Sequence, residues 1–230
     1  YRTALVGKWH LGTASEYHPR RHGFEEFYGF LGAAADYVTW RDTEHRRPLF
    51  QDGETTIEPS GYLTEALAER AVRIISAPDA RPLFLSLQYN APHWPWHAPS
   101  AGGSQETFAA MMRSLDAGVG DVLAALDRSG MSRDTLVVFT SDNGGERFSH
   151  MGPFSHRKMT VGEGGIRVAA ALRWPARVAA GTRSAQVATT MDWTATILAA
   201  AGTRATRPLD GIDLMPALDG GALTERELFW

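Results

Sequence analysis

An apolar run that ends abruptly in polar residues and glycines places the strongest constraint on the fold of this chain. Residues 135–145 read TLVVFTSDNGG, in which four consecutive apolar residues, β-branched or large, lead to an acid, an amide and two glycines. The length and composition of the run are typical of a strand that is buried on both faces, and the glycines end it. The run therefore predicts a central strand of a parallel sheet in an α/β fold.

The polar residues after this run are the first candidates for a functional site. In open α/β sheets, ligands bind beyond the carboxyl ends of the strands, which is where Ser141, Asp142 and Asn143 fall. A carboxylate beside a carboxamide offers two hard oxygen ligands, and these suit Ca²⁺ or Mg²⁺ and not zinc. The alternative is an Asx turn without a ligand, which Asp-Asn-Gly also forms readily.

Length and composition limit the classes of protein to consider. The chain has 230 residues, no cysteine and a formal net charge of −3 with both signs mixed. It is long enough for one substantial α/β domain or two small ones, and its charge does not indicate a nucleic-acid surface. The lack of cysteine excludes a disulfide, a thiolate metal site and a cysteine nucleophile within these residues. Abundant alanine and arginine indicate a bacterial source with GC-rich DNA.

The two ends of the chain are typical of a segment cut from a longer protein. The sequence starts almost at once with a strand-like TALVG and closes on ELFW without a tail. No apolar run approaches the roughly 20 residues that span a bilayer, and no basic-then-apolar leader opens the chain. We therefore expect a fold that is incomplete at both ends and that has no membrane span.

A lysine and a histidine follow the first predicted strand. That strand covers residues 3–6, Gly7 ends it, and Lys8, Trp9 and His10 come next. If the chain stays extended there, Lys8 and His10 project to one face because strand side chains alternate. A point positive charge beside an imidazole suits an anion with several oxygens, since the lysine neutralises charge and the histidine moves a proton. The alternative is a solvated lysine and a partly buried histidine beside a core tryptophan.

Two further histidines lie in the proline-rich sequence NAPHWPWHAP, directly after a second predicted strand at residues 83–89. His93 and His97 are four apart, which on a helix would make a metal pair, but the prolines exclude a helix and make a stiff loop. A histidine held among aromatic residues just past a buried strand is a candidate general acid or base. The residues alone leave open whether His93, His97 or neither has this role.

Helical periodicity defines the rest of the first half. Apolar residues at spacings of three and four predict an amphipathic helix over residues 62–76 and a longer one over residues 105–128. For the longer helix, Ser104 is the predicted N-cap and Gly130 the predicted stop. This helix connects the strand at residues 83–89 to the run at residue 135, so the three predict a β-α-β unit and a parallel sheet.

Two segments of the first half lack a clear period. Residues 22–30, HGFEEFYGF, contain four aromatic residues between glycines and predict a packing loop or a short helix. Residues 33–59 are polar and rich in turn residues, and they predict a surface excursion with a small hairpin. Such an excursion either shapes the mouth of a substrate site or is a variable loop without function.

The polar loop after residue 145 contains Lys158, a candidate contact for an anion. Two glycines between Glu163 and Arg167 predict a tight turn that this charge pair locks. Beyond it, the pattern predicts a strand over residues 168–174, a helix over residues 192–201, and a loop with at most a short helix over residues 208–218.

The order of the motifs resembles that of a known family. The sequences GKWHLG, NAPHWPWHAP, TLVVFTSDNGG, RKMTVGEGGIRV, MDWTATILAAAG and LDGIDLMPAL occur in this order. Together they resemble the type I sulfatases of the alkaline-phosphatase-like superfamily, over nearly the whole chain and most weakly over residues 33–59. The resemblance implies a mixed, largely parallel sheet between helical layers, with this chain as the central part of a sulfatase catalytic domain.

The resemblance implies roles for four residues that bind charge. Asp142 and Asn143 match two ligands of the sulfatase Ca²⁺, a single hard-cation site that is incomplete in this chain. Lys8 and Lys158 match the lysines that bind sulfate oxygens. In relatives with two zinc ions a histidine usually stands at the position of Asn143, so this residue favours a single hard cation and a sulfate substrate.

The resemblance also implies a reaction, the hydrolysis of a sulfate ester. In the family, a formylglycine gem-diol attacks the sulfur while Ca²⁺ and the lysines stabilise charge on the sulfuryl oxygens. His93 matches the histidine that serves the oxygen of the leaving group, and it binds substrate as well as protonating the departing alcohol. His10 matches the histidine that hydrogen-bonds the formylglycine hydrate, and it is the candidate base for the later elimination step.

The chain departs from the family pattern in one respect. Formylglycine is made from a cysteine or serine in a C/S-x-P/A-x-R motif, and no such motif is present. In the family this motif and two aspartates of the Ca²⁺ site lie upstream of GKWHLG. We therefore expect that the parent protein is a sulfatase and that this chain alone is inactive.

Two other functions remain open at this stage. One is a phosphonate monoester or phosphodiester hydrolase of the same superfamily, and the other is a non-catalytic remnant that binds sulfated ligands. The expected partner is a sulfated small molecule or glycan, with no nucleic acid, and the oligomeric state is not determined by the sequence. For a bacterial family member the expected location is periplasmic or extracellular, with the cytoplasm as the alternative.

Overall fold

The computed structural model describes residues 1–44, 49–58, 60–99, 101–223 and 225–230, and for residues 101 and 102 it describes the backbone only. The chain forms two compact units, residues 1–130 and residues 131–230. Within the described ranges, none of the helices combines the length and the apolar character that crossing a membrane requires.

The first unit is a mixed α/β structure. Its strands are β1 (Arg2–Lys8), β2 (Glu26–Phe30), β3 (Phe50–Asp52), β4 (Thr55–Thr56), β5 (Leu83–Gln88), β6 (His97–Ala98) and β7 (Ala101–Gly102), and its helices are α1 (Leu63–Ser76) and α2 (Gln105–Arg128). The main sheet has the order β4-β3-β2-β1-β5, in which β1 pairs in parallel with both β2 and β5, and β3 and β4 join in antiparallel. Helix α1 packs against α2 and against β1 and β5. The predicted α/β fold with a mixed, largely parallel sheet is confirmed.

The two long helices agree closely with the sequence pattern. Helix α2 has the predicted bounds, and Ser104 caps it through a reciprocal capping box with Thr107. Gly130 follows the helix at a φ of 70°, which glycine adopts without strain. Helix α1 begins one residue later than predicted because Tyr62 is its N-cap.

The prediction that Gly7 ends the first strand is wrong. Strand β1 continues to Lys8, and its register pairs Gly7 with Gly29 on one side and Gln88 on the other. A Cβ on Gly7 would overlap the carbonyl oxygen of Gln88, and a Cβ on Gly29 would overlap the carbonyl oxygen of Gly7. These two glycines therefore let three strands approach closely at this level of the sheet.

Of residues 22–30, only the first four form the loop that the sequence predicts, and the segment contains no short helix. Their second half is strand β2, and Phe27, Tyr28 and Phe30 are all buried. A strand with both faces covered lacks the polar alternation that identifies a half-exposed strand, so the aromatic cluster does not indicate a strand in the sequence.

The predicted surface excursion at residues 33–59 is partly a core segment. The expected hairpin is present as β3 and β4, but Tyr37, Trp40 and Phe50 are at most 2% exposed and lie in the main core cluster. The aromatic side chains account for the difference, since they bury apolar area in spite of the polar residues around them. Residues 45–48 and 59 of this range lie outside the described residues.

Among its described residues, the second unit contains a two-stranded sheet, three α-helices and a 3-10 helix at Ser132–Asp134. The elements are β8 (Val137–Thr140), α3 (Glu163–Ile166), β9 (Ala170–Arg173), α4 (Thr190–Ala200) and α5 (Met215–Leu218). Strand β8 pairs with β9 in antiparallel, and Phe139 is 48% exposed. The prediction of a parallel strand buried on both faces is therefore wrong for β8, and this pairing does not support the predicted β-α-β unit. An apolar run alone does not specify the direction of the strand it pairs with.

A buried carboxylate holds the end of the second unit together. The side chain of Asp192 on α4 is fully buried and accepts hydrogen bonds from the backbone amides of Thr189 (2.7 Å) and Ile212 (2.9 Å). The Arg226 guanidinium donates to both carboxylate oxygens, to Oδ1 at 2.8 Å. The motifs MDWT and LDGID thus meet through one residue.

Candidate active site

The lysine and the first histidine leave the sheet at its carboxyl edge. Lys8 is the last residue of β1 and is half-buried. The backbone continues beside β2, since Trp9 N donates to the oxygen of Phe30 at 3.0 Å and His10 N to that of Leu31 at 3.2 Å. His10 is exposed and has a φ of 55°, a strained backbone conformation of the kind found at functional sites. Because His10 has left the strand, simple alternation does not describe how it lies relative to Lys8.

The second histidine loop starts at the same edge. Strands β1 and β5 run in parallel with Gly7 opposite Gln88, so the chain after Lys8 and the chain after Gln88 leave the sheet side by side. Residues 91–95 then form turns and bends that contain two cis peptide bonds, before Pro92 and before Pro95. This is the edge at which open α/β sheets bind ligands.

The hydrogen bond of His93 defines its tautomer. Its Nδ1 lies 2.7 Å from the carbonyl oxygen of Trp94, and a carbonyl oxygen only accepts, so Nδ1 carries a proton. Nε2 therefore accepts a proton in the neutral ring and donates one in the imidazolium form. The ring also stacks on that of Trp94, with the ring centroids 6.1 Å apart.

A buried tyrosine anchors this loop. The Tyr37 hydroxyl donates to the backbone oxygens of Asn90 (2.9 Å) and His93 (2.8 Å), and its side chain is fully buried. Burial raises the pKa of Tyr37 well above its ordinary value, so the hydroxyl remains a donor at every physiological pH. The sequence placed Tyr37 in a surface excursion, although the aromatic pair in DYVTW was a signal of burial.

His97 forms a pair that the sequence did not indicate. Its Nδ1 lies 2.6 Å from Oδ2 of Asp36, while Oδ1 of Asp36 accepts from the backbone amides of Val38 and Thr39. Burial raises the pKa of Asp36, but the hydrogen bonds from Thr39, Val38 and His97 outweigh it and the net pKa is lowered. Asp36 is thus ionised at neutral pH and fixes the proton of His97 on Nδ1.

The predicted metal ligands are adjacent in the second unit. Asn143 Nδ2 donates to Asp142 Oδ1 at 2.6 Å, and Ser141 Oγ donates to the backbone oxygen of Asn143 at 3.1 Å. Asp142 Oδ2 and Asn143 Oδ1 remain as hard oxygen ligands, which fit Ca²⁺ in kind. They are two of the roughly six to eight oxygens that Ca²⁺ takes. In the ranges that the structure covers, no cluster of three or more His, Cys, Asp or Glu is placed to hold a metal.

The structure joins the Lys158 loop to this pair. Lys158 N donates to the oxygen of Gly145 at 3.0 Å, and Gly144 N donates to the oxygen of Gly165 at 2.8 Å. Lys158 itself is half-buried. The predicted charge pair between Glu163 and Arg167 is present at 2.9 Å, but both side chains are exposed, so it contributes little to stability.

Replacing Gly144 with alanine should separate these two loops. A Cβ at Gly144 would overlap the carbonyl oxygen of Gly164, which is backbone and cannot rotate away. We expect the free energy of unfolding to fall by about 1–3 kcal/mol, with loss of the hydrogen bond between Gly144 and Gly165, measured by urea unfolding and amide exchange. Gly120→Ala is the control, since nothing lies within 4 Å of a Cβ there and alanine suits the interior of a helix. Equal stability of the two variants would contradict the close approach.

The residues of each unit have the chemistry of sites that bind anions or hard cations. The first unit presents a lysine and histidines at a parallel sheet edge, which suits an oxygen-rich anion. The second unit, described by itself, holds a pair of hard oxygen ligands. The sulfatase family model matches residues 1–203. The chain belongs to the sulfatase family.

Individual relatives agree with this assignment. The chain is 35% identical to N-acetylgalactosamine-6-sulfatase of Canis lupus familiaris, over 100% of this chain and 48% of the relative. It is 31% identical to arylsulfatase G of Rattus norvegicus, over 100% of this chain and 53% of the relative. The chain thus spans about half the length of these curated relatives.

A solved structure has the same fold. The crystal structure of Ps i-CgsB in complex with k-i-k-neocarrahexaose superposes with a TM-score of 0.85 at 32% identity, covering 94% of this chain and 54% of that one. The expected sulfatase fold is therefore confirmed.

Proposed function

We propose that this chain is part of a sulfatase that hydrolyses sulfate esters on a glycan. The observation that carries the proposal is the family match over residues 1–203. The glycan is supported by two relatives, one named for N-acetylgalactosamine 6-sulfate chemistry and one bound to neocarrahexaose.

In this proposal the two lysines bind the sulfate. Lys8 and Lys158 each bring a compact positive charge that offsets the negative charge on the sulfuryl oxygens. Because that charge is spread over several oxygens during transfer, fixed cations stabilise the transition state without reorganisation. Both lysines are half-buried, which reduces the screening of their charge by water.

In this proposal the two histidines transfer protons. His93 has its Nδ1 proton engaged by the oxygen of Trp94, so its imidazolium form presents Nε2–H to the oxygen of the departing alcohol. His10 is exposed at the same sheet edge. In this proposal it would hydrogen-bond the formylglycine hydrate and accept its proton in the elimination step.

Two groups that the family uses complete the chemistry. When bound, Ca²⁺ draws charge from the sulfate oxygens and formylglycine supplies the attacking hydroxyl. Asp142 and Asn143 would hold the Ca²⁺ through their remaining oxygens. These 230 residues contain no C/S-x-P/A-x-R motif, so in this proposal the nucleophile lies outside them and the chain alone is inactive.

The test uses the full-length natural gene product. We expect intact mass spectrometry to find a cysteine or serine converted to formylglycine, and the protein to hydrolyse an aryl sulfate and N-acetylgalactosamine 6-sulfate. Hydrolysis of an aryl phosphonate without hydrolysis of either sulfate would contradict the proposal. So would sulfate-ester turnover by residues 1–230 alone, because the nucleophile would then lie within them.

A further inference from the structure

We infer that Trp94, His97 and Asp36 form a sugar-binding subsite beside His93, which recognises the alcohol part of the substrate. The inference rests on the proposed function and adds to it a group of residues that selects a pyranose over a simple aryl group. All three residues belong to the first unit.

The ring of His97 is held in a fixed orientation. Asp36 accepts its Nδ1 proton at 2.6 Å, and the two backbone amides that donate to Asp36 fix the carboxylate in turn. The side chain of Asp36 is 19% exposed and that of His97 is 43% exposed. An inner carboxylate thus orients an outer imidazole, a geometry that leaves Nε2 as the ring nitrogen for a hydroxyl donor.

Trp94 supplies an exposed apolar surface in the same loop, three residues before His97. It is 45% exposed and its ring stacks on that of His93. Carbohydrate rings have an apolar C–H face and a polar edge of hydroxyls, so their binding sites combine an aromatic plane with a few directed hydrogen bonds. Trp94 and His97 offer these two elements within four residues of one loop.

Two tyrosines keep the subsite in register with the proposed acid. The Tyr37 hydroxyl donates to the backbone oxygen of His93 at 2.8 Å, and the Tyr62 hydroxyl donates to that of His97 at 2.9 Å. The aromatic rings of Tyr37 and Tyr62 stack with centroids 5.7 Å apart. The stacked tyrosines therefore fix the backbone at both histidines. This suits a site in which the leaving oxygen and its sugar must be held in one geometry.

Two substitutions of His97 separate binding from structure. In His97→Asn the amide NH₂ replaces Nδ1–H and keeps a donor toward Asp36, while the Nε2 function is lost. In His97→Gln the longer amide reaches the position of Nε2 and loses the bond to Asp36. If the pair of His97 and Asp36 is only structural, the asparagine variant should keep more activity on the sugar. If Nε2 contacts the sugar, the glutamine variant should keep more.

The experiment measures kcat/KM of the full-length protein on N-acetylgalactosamine 6-sulfate and on an aryl sulfate. We expect His97→Asn to lower kcat/KM about three- to tenfold for the sugar, as for one lost neutral hydrogen bond, and to leave the aryl sulfate unchanged. His97→Gln should recover part of the loss, and Trp94→Ala should also affect the sugar selectively.

The outcomes distinguish this inference from the proposed function. Equal losses on both substrates, or an asparagine variant as active as the wild type on the sugar, would overturn the subsite while the sulfatase proposal stands. A wild-type protein that turns over the aryl sulfate but not the sugar would also overturn the subsite. A wild-type protein that hydrolyses neither sulfate would overturn the proposed function and the subsite together.

Discussion

Replacing His93 with alanine in the full-length protein is expected to lower kcat for a sulfated sugar by a factor of about 10²–10⁴, the usual contribution of a positioned general acid. In the proposed reaction the sugar would leave as a basic alkoxide unless it is protonated, so this reaction would depend on a proton from His93 Nε2. The hydrogen bond from Nδ1 to the oxygen of Trp94 fixes the tautomer in which Nε2 is the nitrogen that exchanges the proton. The loss should appear in kcat rather than in KM, since the proton is transferred in the transition state.

The leaving group provides the control for this prediction. An aryl sulfate with an acidic phenol departs without protonation, so His93→Ala should cost it far less than the sugar. Lys8→Ala is the contrasting variant, because a lysine that binds sulfuryl oxygens serves both substrates and should lower both rates by similar factors. If His93→Ala slowed the two substrates equally, His93 would be a sulfate contact and not the acid.

Local chemistry explains which elements the sequence predicted well. Helix α2 has the predicted bounds because Ser104, the apolar stripe and Gly130 act within a few residues of one another. The sequence does not indicate strand β2 because its formation depends on pairing with β1, whose partner residues lie 22 positions earlier in the chain. The direction of β8 was wrong for the same reason, since β9 is more than 25 residues away and the apolar run carries no information about it.

The residues of the candidate site also fall into those that a short motif indicates and those that depend on the fold. The positions of Lys8, His93 and the Asp-Asn pair follow from motif order, because each motif is a short contiguous sequence. The pair of Asp36 and His97 joins residues 61 apart, and neither sequence neighbourhood indicates the other. Tyr37 was likewise hidden, since its role depends on two carbonyl oxygens in a loop more than 50 residues away. Contacts of this kind depend on the fold and are not visible in a single sequence.

Asp192→Ala is expected to lower the free energy of unfolding by about 3–5 kcal/mol, the range for breaking a buried ion pair from one side. The substitution leaves the Arg226 guanidinium without its carboxylate and leaves the amides of Thr189 and Ile212 without their acceptor. Urea unfolding measures the loss, and faster exchange of those two amide protons locates it. Asp210→Ala is the matched control, because Asp210 is exposed in the same loop and should change stability by about 0.5 kcal/mol or less.

The dependence of this effect on pH follows from the pKa of Asp192. Burial raises that pKa, but the hydrogen bonds from Arg226, Thr189 and Ile212 outweigh it, so the folded-state pKa lies below the ordinary value of 3.8. A depressed carboxylate contributes stability that is fully present above its unfolded pKa and is lost as the pH falls through the folded one. The difference in stability between wild type and Asp192→Asn should therefore be constant near neutral pH and shrink only below about pH 4. Two results would contradict this: a difference in stability that stays constant down to pH 2, or one that shrinks between pH 8 and pH 5. Either would show that the charge of Asp192 does not hold α4, the loop at Ile212 and Arg226 together.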